Sequence, residues 1–204
     1  MYRNQGSYKK AKPLYKQILI IGFKSLGKDH PTLATWHSNL GLLEESVGNY
    51  QEAEKLFKTA IEIGINSLGN KHPNLASWKN NLGALYNSLG KYKEAEKLLK
   101  EVIEIGESSL GEDHPRMATW YNNLAIAYSG QDKKDLAKSY TKKAINIGEK
   151  KLEKNHIDLA IWHNNLGLIL SNEKQYNDAK DQYKKGHGSK KGNKLTLRAV
   201  IWYP

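Results

Sequence analysis

The sequence has 204 residues, a formal net charge of +11 and no cysteine. The lack of cysteine excludes a disulfide framework, a thiolate metal site and a cysteine nucleophile. No apolar run approaches the ~20 residues of a membrane span, and the start, MYRNQGSYKK, lacks the apolar core of a signal peptide. These features predict a soluble, cytoplasmic protein without a membrane partner.

One repeated motif organises the whole chain. Histidines recur at 30, 72, 114 and 156, and tryptophans at 36, 78, 120 and 162, each 42 positions after the one before. Self-similarity at a fixed period predicts a repeat protein. In chain order, the predicted units are the second helix of an incomplete repeat (1–29), repeat 1 (30–71), repeat 2 (72–113), repeat 3 (114–155), a truncated repeat 4 (156–186) and a non-repeat basic tail (187–204).

The first unit matches the second half of a repeat. Its Gly-x-Tyr-x-x-Ala pattern at residues 6–11 recurs at residues 48–53. One part of a repeat cannot bury its apolar face alone, so a second helix without its first helix leaves an apolar edge. We expect this edge, at residues 14–21, to allow self-association of two copies.

Repeat 2 shows the helical pattern most clearly. Residues 73–90 begin with a proline, which suits a first helical turn, and their apolar residues follow at steps of three and four: Leu75, Trp78, Leu82 and Leu85. Residues 91–111 carry a second such stripe, and Gly90 and Gly111 end the two helices. The predicted fold class is therefore all-α, an α-solenoid of about four helix hairpins.

The histidine and the tryptophan of each repeat are predicted to be structural. Neighbouring helices lie ~8–10 Å apart, whereas zinc needs its ligand nitrogens within ~2.1 Å, so the histidines of different repeats cannot share a metal ion. Each histidine is instead predicted to lead into a helix. The tryptophans lie on the apolar stripe and are predicted to pack between hairpins. No metal site and no cofactor is predicted.

A family resemblance accompanies this pattern. Repeat 2 resembles the tetratricopeptide signature, whose usual unit has ~34 residues, at Leu82, Gly83, Tyr86, Gly90, Tyr92, Ala95 and Leu99. The longer unit and the linkers SLGKDHP, SLGNKHP and SLGEDHP are similar to those of kinesin light chains. The resemblance spans roughly residues 6–185. It implies a right-handed superhelix with a concave groove lined by the first helices, and a role in protein binding.

Two polar ladders follow the tryptophans. One consists of Asn39, Asn81, Asn123 and Asn165, and the other of Ser38, Asn80, Asn122 and Asn164. Asparagine is a weak helix former, but its amide both donates and accepts hydrogen bonds and can hold an extended peptide backbone. The resemblance to kinesin light chains implies that these asparagines contact cargo peptide. The predicted groove residues are therefore Asn39, Asn80, Asn81, Asn122, Asn123, Asn164 and Asn165. The alternative is that they bond a neighbouring helix and set the stack.

The rest of the predicted groove face is neutral. It carries a shallow apolar stripe and, beside it, small polar residues with one isoleucine: Leu42, Ala84, Ile126 and Leu168, and Thr35, Ser77, Thr119 and Ile161. Lys79 is the only basic residue predicted near this face. The groove therefore predicts a ligand that is not strongly acidic.

The positive charge lies at the two ends of the chain. Residues 1–28 hold seven Lys/Arg and residues 184–198 hold six, with no Asp/Glu in either segment, so the repeats are almost neutral. A nucleic-acid-binding array should carry its charge along one face. Nucleic-acid binding through the basic ends is therefore an alternative function. In the tail, LTLRAVIWY alternates as a strand would, but a single strand has nothing to pair with.

No enzyme site emerges from the sequence. GHGSKKGNK lacks the order of a phosphate-binding loop, and the carboxylates lie on charged outer faces without neighbours that would tune their pKa. The predicted function is a non-enzymatic scaffold that binds a protein or peptide segment in a concave groove. A third hypothesis is a purely structural spacer within a larger protein.

Overall fold

The computed structural model of the chain describes residues 5–187, with the side chains of residues 8 and 10–187. The basic tail beyond residue 187 and its strand-like segment lie outside the described residues. Nine α-helices and no strand occur within this range: α1 (Gln5–Leu26), α2 (Pro31–Glu45), α3 (Tyr50–Leu68), α4 (Pro73–Ser88), α5 (Tyr92–Leu110), α6 (Pro115–Ser129), α7 (Lys134–Lys151), α8 (Ile157–Asn172) and α9 (Tyr176–His187). The predicted all-α fold is confirmed.

The recurring histidine is the N-cap residue of each first helix of a repeat (α2, α4, α6 and α8). The ring Nδ1 of this histidine accepts a hydrogen bond from the backbone N–H two residues later, at 3.1–3.2 Å in all four copies. One of the free N–H groups at the helix N-terminus is thereby satisfied. The prediction that these histidines lead into helices is confirmed. Within residues 5–187, no group of three or more histidine or carboxylate side chains could hold a metal ion.

The turn between the two helices of a repeat contains one residue in the left-handed backbone conformation, with a positive φ. Gly48 and Gly90 occupy it with φ values of 84° and 70°, a conformation that glycine adopts without a steric penalty. Asp132 and Lys174 take the same place in repeats 3 and 4, with φ values of 59° and 62°. The turn therefore keeps its geometry where the sequence has lost its glycine.

The helices form two layers, the four first helices and the second helices α1, α3, α5, α7 and α9. Each of α3, α5 and α7 packs against the first helix before it and the first helix after it. Every first helix also contacts the next first helix, whereas the described second helices make no comparable contact with each other. The array must therefore curve with the first helices on its inner side.

Tryptophan rings fill the space between successive repeats. Trp78, Trp120 and Trp162 are buried and Trp36 is half-buried, which confirms the packing role predicted for them. Each ring lies against a glycine of the preceding second helix, at residues 22, 64, 106 and 148. A Cβ added at Gly64 would stand only 2.6 Å from Cε3 of Trp78. The glycines thus leave room for the tryptophan rings, and the sequence analysis did not predict this role.

The first junction between repeats contains an ion pair whose carboxylate is buried and whose lysine is partly exposed. The carboxylate of Glu44 is fully buried, accepts hydrogen bonds from Tyr8 Oη at 2.8 Å and Asn49 Nδ2 at 2.7 Å, and pairs with Lys12 Nζ at 2.8 Å. Burial alone would raise the pKa of Glu44, but the hydrogen bonds from Lys12, Asn49 and Tyr8 outweigh burial and hold it below its usual range. The carboxylate therefore stays ionised inside the protein.

The later junctions use the second-helix position of Lys12, one period further on each time, with partners at other positions of the following repeat. Their ion pairs join Glu54 to Lys91, Glu96 to Lys133, and Lys138 to Glu173. At the two middle junctions the carboxylate is on the second helix, at Glu54 and Glu96. At the first and last junctions it is on the following repeat, at Glu44 and Glu173. Each surface is therefore complementary in charge to its own neighbour.

Candidate functional site

The inner side of the array presents one uncharged surface, which we call the open stripe. At α2 it consists of Thr35, Asn39, Leu42 and the C-cap residue Ser46, which follow at steps of four, three and four and so share one face. The equivalent residues of the other first helices complete it: Ser77, Asn81, Ala84 and Ser88; Thr119, Asn123, Ile126 and Gly130; Ile161, Asn165, Leu168 and Asn172. All of them are exposed or half-buried, and none is charged.

The two polar ladders join the first helices to each other. We call Asn39, Asn81, Asn123 and Asn165 the outer asparagines, and Ser38, Asn80, Asn122 and Asn164 the inner residues. An outer Nδ2 donates to the inner residue of the preceding repeat: Asn81 to Ser38 Oγ at 3.0 Å, Asn123 to Asn80 Oδ1 at 2.8 Å, and Asn165 to Asn122 Oδ1 at 2.9 Å. These amide nitrogens therefore hold neighbouring first helices in register, as the alternative interpretation of the ladders predicts.

The inner and outer residues differ in exposure. Asn80, Asn122 and Asn164 are buried between helices, whereas the outer asparagines are half-buried and lie on the open stripe. Within the described residues, no hydrogen bond joins a donor to the Oδ1 atom of an outer asparagine. Three of these amides thus use their nitrogen inside the stack, while their oxygen has no donor and the side chain lies half-buried on the open stripe.

One further asparagine, Asn87, extends this network. It is buried, and its Nδ2 donates to the backbone oxygen of Asn123 at 2.8 Å. At the other end of the row, Asn164 Oδ1 is buried without a hydrogen-bond partner in residues 5–187.

The basic residue predicted near the groove points elsewhere. Lys79 Nζ binds Glu101 Oε2 at 2.6 Å, and its side chain is only 12 % exposed. The equivalent residue of α2 is His37, which is half-buried, and burial lowers its pKa so that the ring is neutral at pH 7. The open stripe therefore receives no positive charge from these positions.

One known family model matches most of the chain. The Tetratricopeptide repeat family model matches residues 1–66, 32–108 and 74–150. No curated protein matches the sequence. None of the helices within residues 5–187 is long and apolar enough to cross a membrane.

Several solved structures are similar in fold. BtubC (BKLC) from P. vanneervenii is 24% identical with a TM-score of 0.78, over 98% of this chain and 77% of that chain. A kinesin light chain-like protein with nearly identical TPR-like repeats from Podosopora anserina is 24% identical with a TM-score of 0.74, over 91% and 88%. MamA from Desulfovibrio magneticus RS-1 is 17% identical with a TM-score of 0.58, over 94% and 97%.

Proposed function

The chain belongs to the tetratricopeptide repeat family, whose members are generally protein–protein interaction scaffolds, and we propose that it binds an extended peptide segment of a partner along the open stripe. The observation that carries this proposal is the row of outer asparagine oxygens, which accept no hydrogen bond within the described residues. An extended backbone needs acceptors for its N–H groups, and this row supplies one oxygen per repeat. A non-enzymatic role and a cytoplasmic location belong to the same proposal.

In this proposal the two ladders have different tasks. Asn39, Asn81, Asn123 and Asn165 contact the peptide, and Asn80, Asn122 and Asn164 position them. Because Asn80 holds the nitrogen of Asn123, the Asn123 amide cannot turn its oxygen away without losing that bond. Groups that are already fixed in the binding geometry lose less entropy when the ligand arrives.

The test blocks the open stripe without disturbing the ladder. The variant Ser77→Arg with Thr119→Arg places two large side chains on the stripe, and in the parent neither residue bonds to an asparagine. We expect it to lose peptide binding while its stability stays within about 0.5 kcal/mol of the parent, as is usual for surface changes. A peptide-display selection on the parent, followed by titration of the enriched peptides, measures the loss.

The matched control adds the same charge elsewhere. Gln51→Arg with Ser139→Arg changes exposed residues of the second helices and should bind the selected peptides as the parent does. Equal loss of binding in both variants would show that added charge, not the stripe, is responsible. A parent that enriches no peptide contradicts the proposal, and a steep fall of oligonucleotide affinity with salt would favour the nucleic-acid alternative.

Self-association is a second proposal, and it rests on α1. Leu14 and Ile21 are 58% and 64% exposed, whereas their equivalents one period later, Leu56 and Ile63, are buried. The reason is that α3 packs between two first helices, while α1 packs against α2 and makes no comparable contact with another described helix. We propose that a second copy of the chain covers this apolar edge.

We expect Leu14→Ser with Ile21→Ser to weaken this association. Ile65→Ser is the control, since Ile65 is an exposed residue of α3 away from the edge. The described lysines of α1 have no acidic neighbour within the helix, so two copies repel each other and added salt should strengthen the pairing. Sedimentation velocity at low and high salt measures this, and a parent that stays monomeric at high salt contradicts the proposal.

A further inference from the structure

The open stripe changes character at its last described helix. In α8 it carries Ile161 and Leu168, where α4 has Ser77 and Ala84. Leu168 is 37% exposed, and Ile157 at the start of the same helix is 54% exposed. The stripe is therefore polar or small in α4 and aliphatic in α8.

Helix α8 is apolar on both of its faces. Its core side buries Leu159, Trp162 and Leu166, so the helix does not need further aliphatic residues to pack. A surface helix usually places polar residues opposite its buried face, and exposed apolar groups that lie together mark interaction sites. The half-buried Ile126 of α6 adds one more aliphatic residue to the neighbouring part of the stripe.

An acceptor lies within this aliphatic surface. Asn165 stands between Ile161 and Leu168 on the stripe, and its nitrogen is held by Asn122 Oδ1 at 2.9 Å. Its oxygen is one of the unbonded outer oxygens described above. In an extended peptide, successive side chains point to opposite faces. A peptide residue next to the one whose N–H binds Asn165 can therefore place its side chain on Ile161 and Leu168.

We propose that the α8 end of the groove selects its ligand by an aliphatic or aromatic side chain of an extended peptide, while the α4 part, with Ser77 and Ala84 on the stripe, binds backbone with little selectivity. This inference rests on the proposed function. A charged side chain at the α8 stripe would lose water without finding a counter-charge, because no stripe residue is charged. The ligand class is therefore a segment with an apolar anchor at one end.

The loss variant gives α8 smaller residues that occur at the same stripe positions in other repeats. Ile161→Thr copies Thr35 and Thr119, and Leu168→Ala copies Ala84. In a random-peptide display selection, the parent should enrich peptides with an apolar residue at one position, and this preference should disappear in the variant. Affinity for the most enriched peptide should fall about tenfold or more, the usual cost of losing hydrophobic contacts in a pocket.

The gain variant makes the reverse change in α4. Ser77→Ile with Ala84→Leu gives α4 the aliphatic stripe of α8, and we expect it to select a second apolar residue at a shifted position. Because Ile161 also contacts the core, the loss variant could be poorly folded by circular dichroism. In that case the gain variant tests whether aliphatic stripe residues select an apolar side chain.

The outcomes separate this inference from the function on which it rests. Peptides without an apolar preference in the parent, an unchanged preference in a folded loss variant, or no new preference in the gain variant would overturn the inference. In each of these cases, loss of binding by the stripe-blocking arginine variant would leave the proposed function intact. A parent that enriches no peptide at all overturns both.

Discussion

Replacing Lys12 by methionine should destabilise the folded chain by about 3 kcal/mol at pH 7, because it removes the cation from the buried carboxylate of Glu44. The hydrogen bonds from Tyr8 and Asn49 remain, so we expect the lower end of the range seen for broken buried ion pairs. Urea denaturation followed by circular dichroism measures this loss.

The loss should shrink in acid. In the parent the pKa of Glu44 lies below the ordinary 4.5, so its ionised form contributes stability that is present above pH 4.5 and is lost as the pH falls through the folded value. Without Lys12, the largest of the hydrogen bonds that lower the pKa of Glu44 is lost, so the carboxyl group takes up a proton at a higher pH than in the parent. The difference in stability between parent and variant should therefore shrink as the pH falls below 4.5 and be smallest below the folded pKa of Glu44 in the parent.

The fourth repeat provides the control for this variant. Its residue at the position of Glu44 is Leu170, which is buried without a charge. Lys12→Met with Glu44→Leu should therefore recover to within about 1 kcal/mol of the parent, since an apolar pair can replace a buried ion pair. If the double variant stays as unstable as the single one, the loss comes from the packing of the lysine stem instead.

The second large effect is expected at a tryptophan. Trp78→Ala should destabilise the chain by about 4 kcal/mol, the usual cost of emptying a buried aromatic site. Trp36→Ala should cost clearly less, because Trp36 is only half-buried. Denaturant unfolding of both variants measures the difference, and equal losses would show that burial does not set the size of the effect.

The glycine beneath the ring gives this prediction a second readout. Gly64→Ala should cost about 2 kcal/mol in the parent, because its Cβ would overlap the ring of Trp78. In the Trp78→Ala background the ring is gone, and alanine favours a helix over glycine by about 1 kcal/mol, so the same change should be neutral or stabilising. Additive losses would contradict the contact between the two residues.

Much of the fold could be predicted because it follows from local rules that the repeat copies. The period, the histidine before each first helix and the apolar stripe around Trp78 are all visible in the sequence. The glycines at residues 22, 64, 106 and 148 recur with the same period, so their signal was present too. They were not predicted because helical periodicity is recognised from apolar side chains. These glycines matter because they have no side chain that would overlap the tryptophan ring.

The candidate site was harder to predict because helical position does not fix where a side chain ends. Lys79 starts beside the groove face, but its long side chain reaches Glu101. Asn80 and Asn81 are adjacent in sequence and chemically identical, yet one is buried and the other is half-exposed. Only the packing of neighbouring first helices distinguishes them, and peptide binding by the outer asparagines stays a prediction.

The charge pairs at the junctions limit how such an array can grow by tandem duplication. A second copy of repeat 2 inserted after the first would set Glu96 beside another Lys91, the same pairing that Glu54 makes. A duplicated repeat 1 would instead set Glu54 against another Glu44, and a duplicated repeat 3 would oppose two lysines. Like charges that face each other at these partly buried junctions are unfavourable. Repeat 2 is therefore the natural unit of insertion for lengthening this protein.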